Sequence, residues 1–78
     1  MWEKEQVFLK IQENGKKITQ QREILIDVIL ENQWHTNKEI YYEALKRDKG
    51  IGKATVYRTM ELLEEVGVLK RCSQYQLA

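Results

Sequence analysis

A mainly α fold of the winged helix-turn-helix type, about four helices followed by a short C-terminal β-hairpin wing, is predicted by three features of this sequence. Apolar residues recur at helical spacing in four successive stretches. The third and fourth stretches are joined only by Lys49-Gly50-Ile51-Gly52, so the two helices must meet at an angle across a tight turn. After Gly67 the pattern changes to two short stretches, and Tyr75 and Leu77 alternate with polar neighbours as in a half-buried strand.

Each element has its own signal. The first helix is expected from about Trp2 to Asn14, with Val7, Phe8 and Ile11 on one side, and Asn14-Gly15 suits its end because glycine accepts the left-handed conformation. Thr19 is placed to cap the second helix, whose stripe is Ile24, Leu25, Val28, Ile29 and Leu30 and which fades at Glu31-Asn32-Gln33. Thr36-Asn37-Lys38-Glu39 reads as a capping box, in which threonine and glutamate close each other's open amides. It opens a third helix with Ile40, Tyr41, Ala44 and Leu45 inward, ending near Lys46-Arg47-Asp48. The fourth runs from about Lys53 to Glu65 with Val56, Met60 and Leu63 inward, Leu62 and Val66 widening the stripe, and Gly67 ending it. Strands are expected over Val68–Arg71 and Gln74–Leu77, with a tight reversal near Cys72-Ser73. One domain is expected over residues 1–78: an N-terminal helix at 1–14, a helical core at 15–66 whose last helix is 53–66, and a short wing at 67–78.

Composition narrows the classes. With 42% hydrophobic and 32% charged residues the chain is globular, and no apolar run approaches the roughly 20 residues needed to span a bilayer. The expected setting is a reducing cytoplasm, because the single cysteine, Cys72, excludes an internal disulfide and leaves no Cys-x-x-Cys pair for zinc. Cys72 is read as an incidental thiol. One His, one Cys and no recognisable carboxylate pair do not make a nucleophile–base couple, so an enzyme is disfavoured. The net charge is only +1, yet the charge is sorted. Residues 15–22 hold Lys16, Lys17 and Arg22, residues 49–60 hold Lys49, Lys53 and Arg58, and residues 70–78 hold Lys70 and Arg71; all 12 carboxylates lie elsewhere. Such sorting can build a basic face on a near-neutral molecule, or it can be chance clustering on solvated surface.

In the winged helix-turn-helix order the last helix before the hairpin enters the major groove of DNA. On that helix Lys53, Ala54, Tyr57, Arg58 and Glu61 share a side away from the stripe. Ala54 allows close approach, the Arg58 guanidinium can bond guanine O6 and N7 together, and Tyr57 can touch thymine methyls. Thr55 and Lys53 suit phosphate contacts, which fix register without reading sequence. The competing reading is an ordinary amphipathic helix with a polar face.

Ala54-Thr55-Val56-Tyr57-Arg58-Thr59-Met60, followed by Leu62-Leu63, Gly67-Val68 and Lys70, closely resembles the signature of the ferric uptake regulator (Fur) family. Gly15 through Leu25 and Thr36 through Leu45 are similar to two further family motifs, in the right order and separation, so the resemblance covers roughly residues 9–78. It implies a bacterial transcription regulator, acting as a repressor, whose winged-helix domain binds a palindromic operator in duplex DNA as part of a dimer. By position it implies that Tyr57 and Arg58 read bases, that Thr55 holds phosphate, and that Lys17 reaches the minor groove or adjacent backbone. Arg22 would support phosphate contacts from the second helix, or else form an ordinary ion pair with a nearby carboxylate. Thr19 belongs to the same candidate interface, and Lys70 and Arg71 would carry the contacts of a shortened wing.

The departures from the pattern carry expectations too. Family regulators bind iron, zinc or manganese through a C-terminal dimerisation half, and this chain stops about where that half would begin, so no cofactor is expected in it. A metal-ligand histidine often precedes the capping threonine by two residues in the family; here Trp34 stands there, and His35, one residue later, is read as a packing or hydrogen-bonding residue. Trp2, Trp34, Tyr41 and Tyr42 are read as core or rim aromatics. The expected partner is duplex DNA, bound as a homodimer or by pairing with another regulator chain, with no membrane. The alternative is a winged-helix protein-interaction module that pairs with or modulates a full-length regulator.

Overall fold

A computed structural model describes residues 2–31, 34–71 and 74–78, with the side chains of all of these except Trp34 and His35. Four helices, α1 (Lys4–Glu13), α2 (Gln20–Glu31), α3 (Asn37–Arg47) and α4 (Lys53–Glu65), are joined by three strands, β1 (Trp34–His35), β2 (Leu69–Arg71) and β3 (Tyr75–Leu77). The fold is the expected winged helix, and its elements end where local chemistry ends them.

Helix α1 begins two residues later than the apolar spacing suggests. Glu3 is held in an extended conformation (φ −97°, ψ 152°), and its amide donates to Gln6 Oε1 at 2.9 Å, which closes the helix start. The ends of α1 and α4 share one device. At α1, the Gly15 amide donates to the Gln12 carbonyl at 2.9 Å and the Lys16 amide to the Ile11 carbonyl at 3.2 Å. At α4, the Gly67 amide donates to the Glu64 carbonyl at 3.1 Å and the Val68 amide to the Leu63 carbonyl at 2.9 Å. Both are Schellman closures, and both need the left-handed backbone that Gly15 (φ +75°) and Gly67 (φ +86°) supply.

The N-terminal caps follow the sequence signals. Thr19 Oγ1 accepts from the Arg22 amide at 3.1 Å to open α2. The Thr36–Glu39 box closes in both directions, with the Glu39 amide donating to Thr36 Oγ1 at 3.2 Å and the Thr36 amide to Glu39 Oε1 at 3.1 Å. Between α3 and α4 the chain turns on Asp48, whose Oδ1 accepts from the Gly50 amide at 2.9 Å. Ile51, only 3% exposed, plugs that turn into the core and so fixes the angle at which α4 leaves it.

The core joins all four helices and the sheet. Val7 and Ile11 of α1 meet Leu25, Ile26, Val28 and Ile29 of α2, Ile40 and Ala44 of α3, and Val56, Met60, Leu62 and Leu63 of α4; Val68, Leu69 and Tyr75 close it below. Ile26 is a buried member that the predicted stripe did not include, while Ile24 and Leu30 are only partly buried. Burying each large aliphatic side chain contributes about 1.5–3 kcal/mol relative to leaving it in water. Trp2 and Tyr41 pack partly against this core, in keeping with a core or rim role, but Tyr42 is 54% exposed and leaves it.

The expected hairpin forms between β2 and β3, and a further strand joins it. Its order is β1-β3-β2, antiparallel throughout, with Trp34 opposite Gln76, His35 opposite Tyr75, and Leu69, Lys70 and Arg71 opposite Leu77, Gln76 and Tyr75. A third strand thus covers the outer edge of β3, which a two-stranded wing would leave open. The strands are also a residue shorter at their starts than the alternation suggests. The C-terminal end is tied down twice, by Trp2 Nε1 donating to the Ala78 carbonyl at 2.9 Å and by the Ala78 amide donating to the Val68 carbonyl at 2.9 Å. The Cys72-Ser73 reversal, and with it the thiol, lies outside the described residues, as does the side chain of His35.

Candidate nucleic-acid interface

The segment after α1 and the first turn of α4 face each other across an open groove of ≈ 470 Å³ lined by Gly15, Lys16, Lys17, Thr19, Gln21, Arg22, Thr55, Arg58 and Thr59. Five of the predicted site residues meet here: Lys17, Thr19, Arg22, Thr55 and Arg58. Their separation in sequence hides this, because the Schellman end of α1 and the Thr19 cap of α2 together turn residues 15–19 towards α4. Four of the lining side chains are cationic and none is a carboxylate.

Arg22 Nη1 donates to the Lys17 carbonyl at 2.7 Å and enters no ion pair among the described residues. Of the two readings left open for Arg22, a surface ion pair is therefore not what its guanidinium does; it ties the loop to the helix. The acids of α2 are engaged on other sides. Glu23 and Asp27 both take Lys4, at 2.8 and 3.0 Å, and Glu31 pairs with Arg47. Lys4 is held above its ordinary range chiefly by its hydrogen bond to Glu23, then by Asp27, and Glu31 is held below its range chiefly by its hydrogen bond from Arg47. Gln21 reaches towards Asp48 at 3.5 Å, whose other oxygen already accepts from Gly50.

The outer face of α4 stands beside the groove. Lys53, Ala54, Tyr57, Arg58 and Glu61 are exposed, as their spacing predicts, and Tyr57 is 46% exposed despite its large ring. Val56, Thr59, Met60, Leu62 and Leu63 are buried on the other side, so the core holds the helix and leaves the Tyr57 face free. Lys53 Nζ lies over the Tyr41 ring, 5.6 Å from its centroid, which draws the first turn of α4 against α3. Lys70 and Arg71 are exposed on β2, outside the groove lining, and the Arg71 guanidinium sits 5.8 Å from the Tyr75 ring centroid.

Lys16 and Gln21 line the groove without having been singled out from the sequence. Lys16 carried a signal, since it belongs to the acid-free run 15–22, and Gln21 stands within the Gly15–Leu25 motif that resembles the family. Among the described residues no group of three or more His, Cys, Asp or Glu side chains could hold a metal ion. No helix among the described residues is long and apolar enough to cross a membrane.

An angled α3–α4 pair beneath a small antiparallel sheet, with a basic groove at the start of α4, defines a winged helix-turn-helix protein. The ferric uptake regulator family model matches residues 13–76, and the chain belongs to that family. It is 41% identical over 58 residues to the ferric uptake regulation protein of Brucella abortus, covering 73% of this chain and 41% of that one. It is 40% identical over 70 residues to the ferric uptake regulation protein of Campylobacter upsaliensis, covering 85% of this chain and 45% of that one. Among solved structures a zinc-bound manganese uptake regulator superposes with a TM-score of 0.81 at 26% identity, covering 92% of this chain and 60% of that one. The chain thus spans about half the length of the relatives it matches. Family relatives are named as regulators, not as enzymes.

Proposed function

We propose that this chain binds duplex DNA in sequence-specific fashion, in the service of bacterial transcriptional repression in the cytoplasm, with α4 in the major groove. The observation that carries the reading is the groove in which Lys16, Lys17, Arg22 and Arg58 converge without a carboxylate, beside the free Tyr57 face of α4. A phosphate running along that groove meets cations on both walls, and the hydroxyls of Thr19 and Thr55 offer it neutral donors. Arg58 lies where groove and free face join, and from there its guanidinium reaches guanine O6 and N7, while Tyr57 lays apolar edge on thymine methyls and Ala54 keeps the helix close to the bases. Lys53 takes backbone phosphate at the start of α4. Lys17 serves the backbone or minor groove next to it, and Lys70 and Arg71 extend the contact along the wing. No metal or other cofactor takes part in these contacts.

Two copies of such a reading head, or one copy paired with another regulator chain, bind a palindromic site, because one short recognition helix alone gives modest affinity. The test starts from a pool of random duplexes enriched by binding to the chain. The enriched duplex and its scrambled version are then titrated at several salt concentrations while the mass of the complex is measured. Sequence preference together with a steep salt dependence is the expected result. Absence of any enriched sequence, with no salt-dependent binding, would falsify the reading and leave the protein-interaction alternative in its place.

A further inference from the structure

We infer that the edge of α3 formed by the exposed Lys38 and Tyr42 and the half-buried Tyr41 is a second phosphate-binding ledge that grips the DNA backbone on the far side of α4 from the basic groove. The inference rests on the DNA reading above and adds a surface to it. Tyr42 is 54% exposed and Tyr57 46%, the two most exposed rings among the described residues. Core packing does not account for Tyr42. Its ring is tilted at 40° against Tyr41 with centroids 5.9 Å apart, and Lys38 Nζ lies 5.9 Å from its centroid. Tyr41 in turn sits under Lys53 Nζ, the first residue of α4. The sequence of contacts Lys38, Tyr42, Tyr41, Lys53 therefore runs unbroken from α3 onto the recognition helix, and Lys53 and Tyr57, four residues apart, continue it along one face of α4.

The charge along this ledge suits a polyanion. Its cations are Lys38 and Lys53, and the acids of α3 are occupied elsewhere: Glu39 accepts from the Thr36 amide and hydroxyl, and Glu43 takes Lys46 at 2.9 Å. Cation–ring contacts hold both lysines close to the aromatic surface without neutralising them, so their charge stays available to phosphate. Two phenol hydroxyls add neutral donors to a surface whose charged partners are already in place. The basic groove and this ledge flank the free face of α4 on opposite sides, which is the arrangement a helix in a major groove needs to meet a phosphate strand at each edge.

The experiment uses the whole chain and a mixed-sequence duplex of about 24 base pairs, titrated by fluorescence anisotropy from about 50 to 200 mM salt. Lys38→Ala is expected to lower the slope of log affinity against log salt by about 0.9, one phosphate contact. Tyr42→Ala is expected to weaken binding about 2- to 10-fold with the slope nearly unchanged, the effect of one lost neutral hydrogen bond. Lys46→Ala, a lysine of the same helix engaged with Glu43, is the control and leaves the slope as it is. Thermal midpoints equal to that of the unmodified chain show that each variant is folded. If Lys38→Ala and Tyr42→Ala bind like the unmodified chain while Arg58→Ala does not, the ledge is overturned and the DNA reading stands. If the unmodified chain shows no salt-dependent binding to the duplex, both fall together.

Discussion

Arg22 donates through Nη1 to the backbone carbonyl of Lys17 at 2.7 Å, so a side chain of α2 holds the loop that presents a neighbouring cation to the groove. Because the bond is made to the main chain, it fixes where Lys17 stands without consuming the Lys17 charge. Arg22 thereby acts twice, through its own charge and through the position of Lys17. Replacing Lys17 by Ala is expected to weaken binding to all duplex sequences alike and to reduce the salt slope by about one unit. Arg22→Ala should do the same and more. In a double-mutant cycle the two losses should fall short of additivity by about 0.5–3 kcal/mol, since without Arg22 the lysine is no longer held in place. Strictly additive losses would show that the two residues act independently.

Arg58 has a different signature, because it stands where the groove meets the free face of α4. Arg58→Ala should cost about 1–3 kcal/mol on the enriched duplex and relax the preference at one base pair. Titration against single-base-pair variants of that duplex is the measurement. Equal losses on the enriched and scrambled duplexes would assign Arg58 to phosphate.

Two threonine caps separate stability from binding. Thr36 closes α3 far from the groove lining, whereas Thr19 closes α2 and also lines the groove. Each change to Ala should cost about 0.5–2 kcal/mol of stability in urea unfolding. Thr19→Ala should also lower DNA affinity through the groove it lines, and by more than Thr36→Ala, when both variants are measured well below their unfolding midpoints.

Leu63 has 0% exposure and lies in the core against which α4 is set. Leu63→Ala should destabilise the chain by about 2–5 kcal/mol, moving the urea midpoint without changing the dependence on urea. A fall of less than about 1 kcal/mol would mean that the core collapses freely around the gap.

The Glu31–Arg47 pair predicts a pH effect of definite sign. Arg47 holds the Glu31 carboxyl below its ordinary value of 4.5, so the folded state binds the proton less readily than the unfolded chain. The contribution is therefore full above 4.5 and is lost as pH falls through the depressed folded value. Glu31→Gln should flatten the acid limb of stability, followed by urea midpoints at stepped pH, and should leave the limb above neutrality unchanged. The Lys4 pairing has the opposite sign: it is full below 10.5 and fades as pH rises through the raised folded value.

Read alone, the sequence determined the four helices, the Thr19 and Thr36 caps and both glycine stops, because each depends on interactions within a few residues. Thr36 and Glu39 close one box, and Gly15 and Gly67 supply the one backbone conformation those ends require. It also determined which face of α4 is free, since Val56, Met60 and Leu63 occupy the other. Tertiary structure alone decided the rest. Strand β1 is two residues long and exists because Trp34 and His35 meet Gln76 and Tyr75, pairings that no local periodicity encodes. The loop at 15–19 and the start of α4 became two walls of one groove only when α2 packed beneath them. Helix packing likewise brought Tyr41 under Lys53 and left Tyr42 outside. Local hydrogen bonds fix where helices begin and end, but which charges meet across a groove depends on how the helices pack, and that follows from burying the shared core.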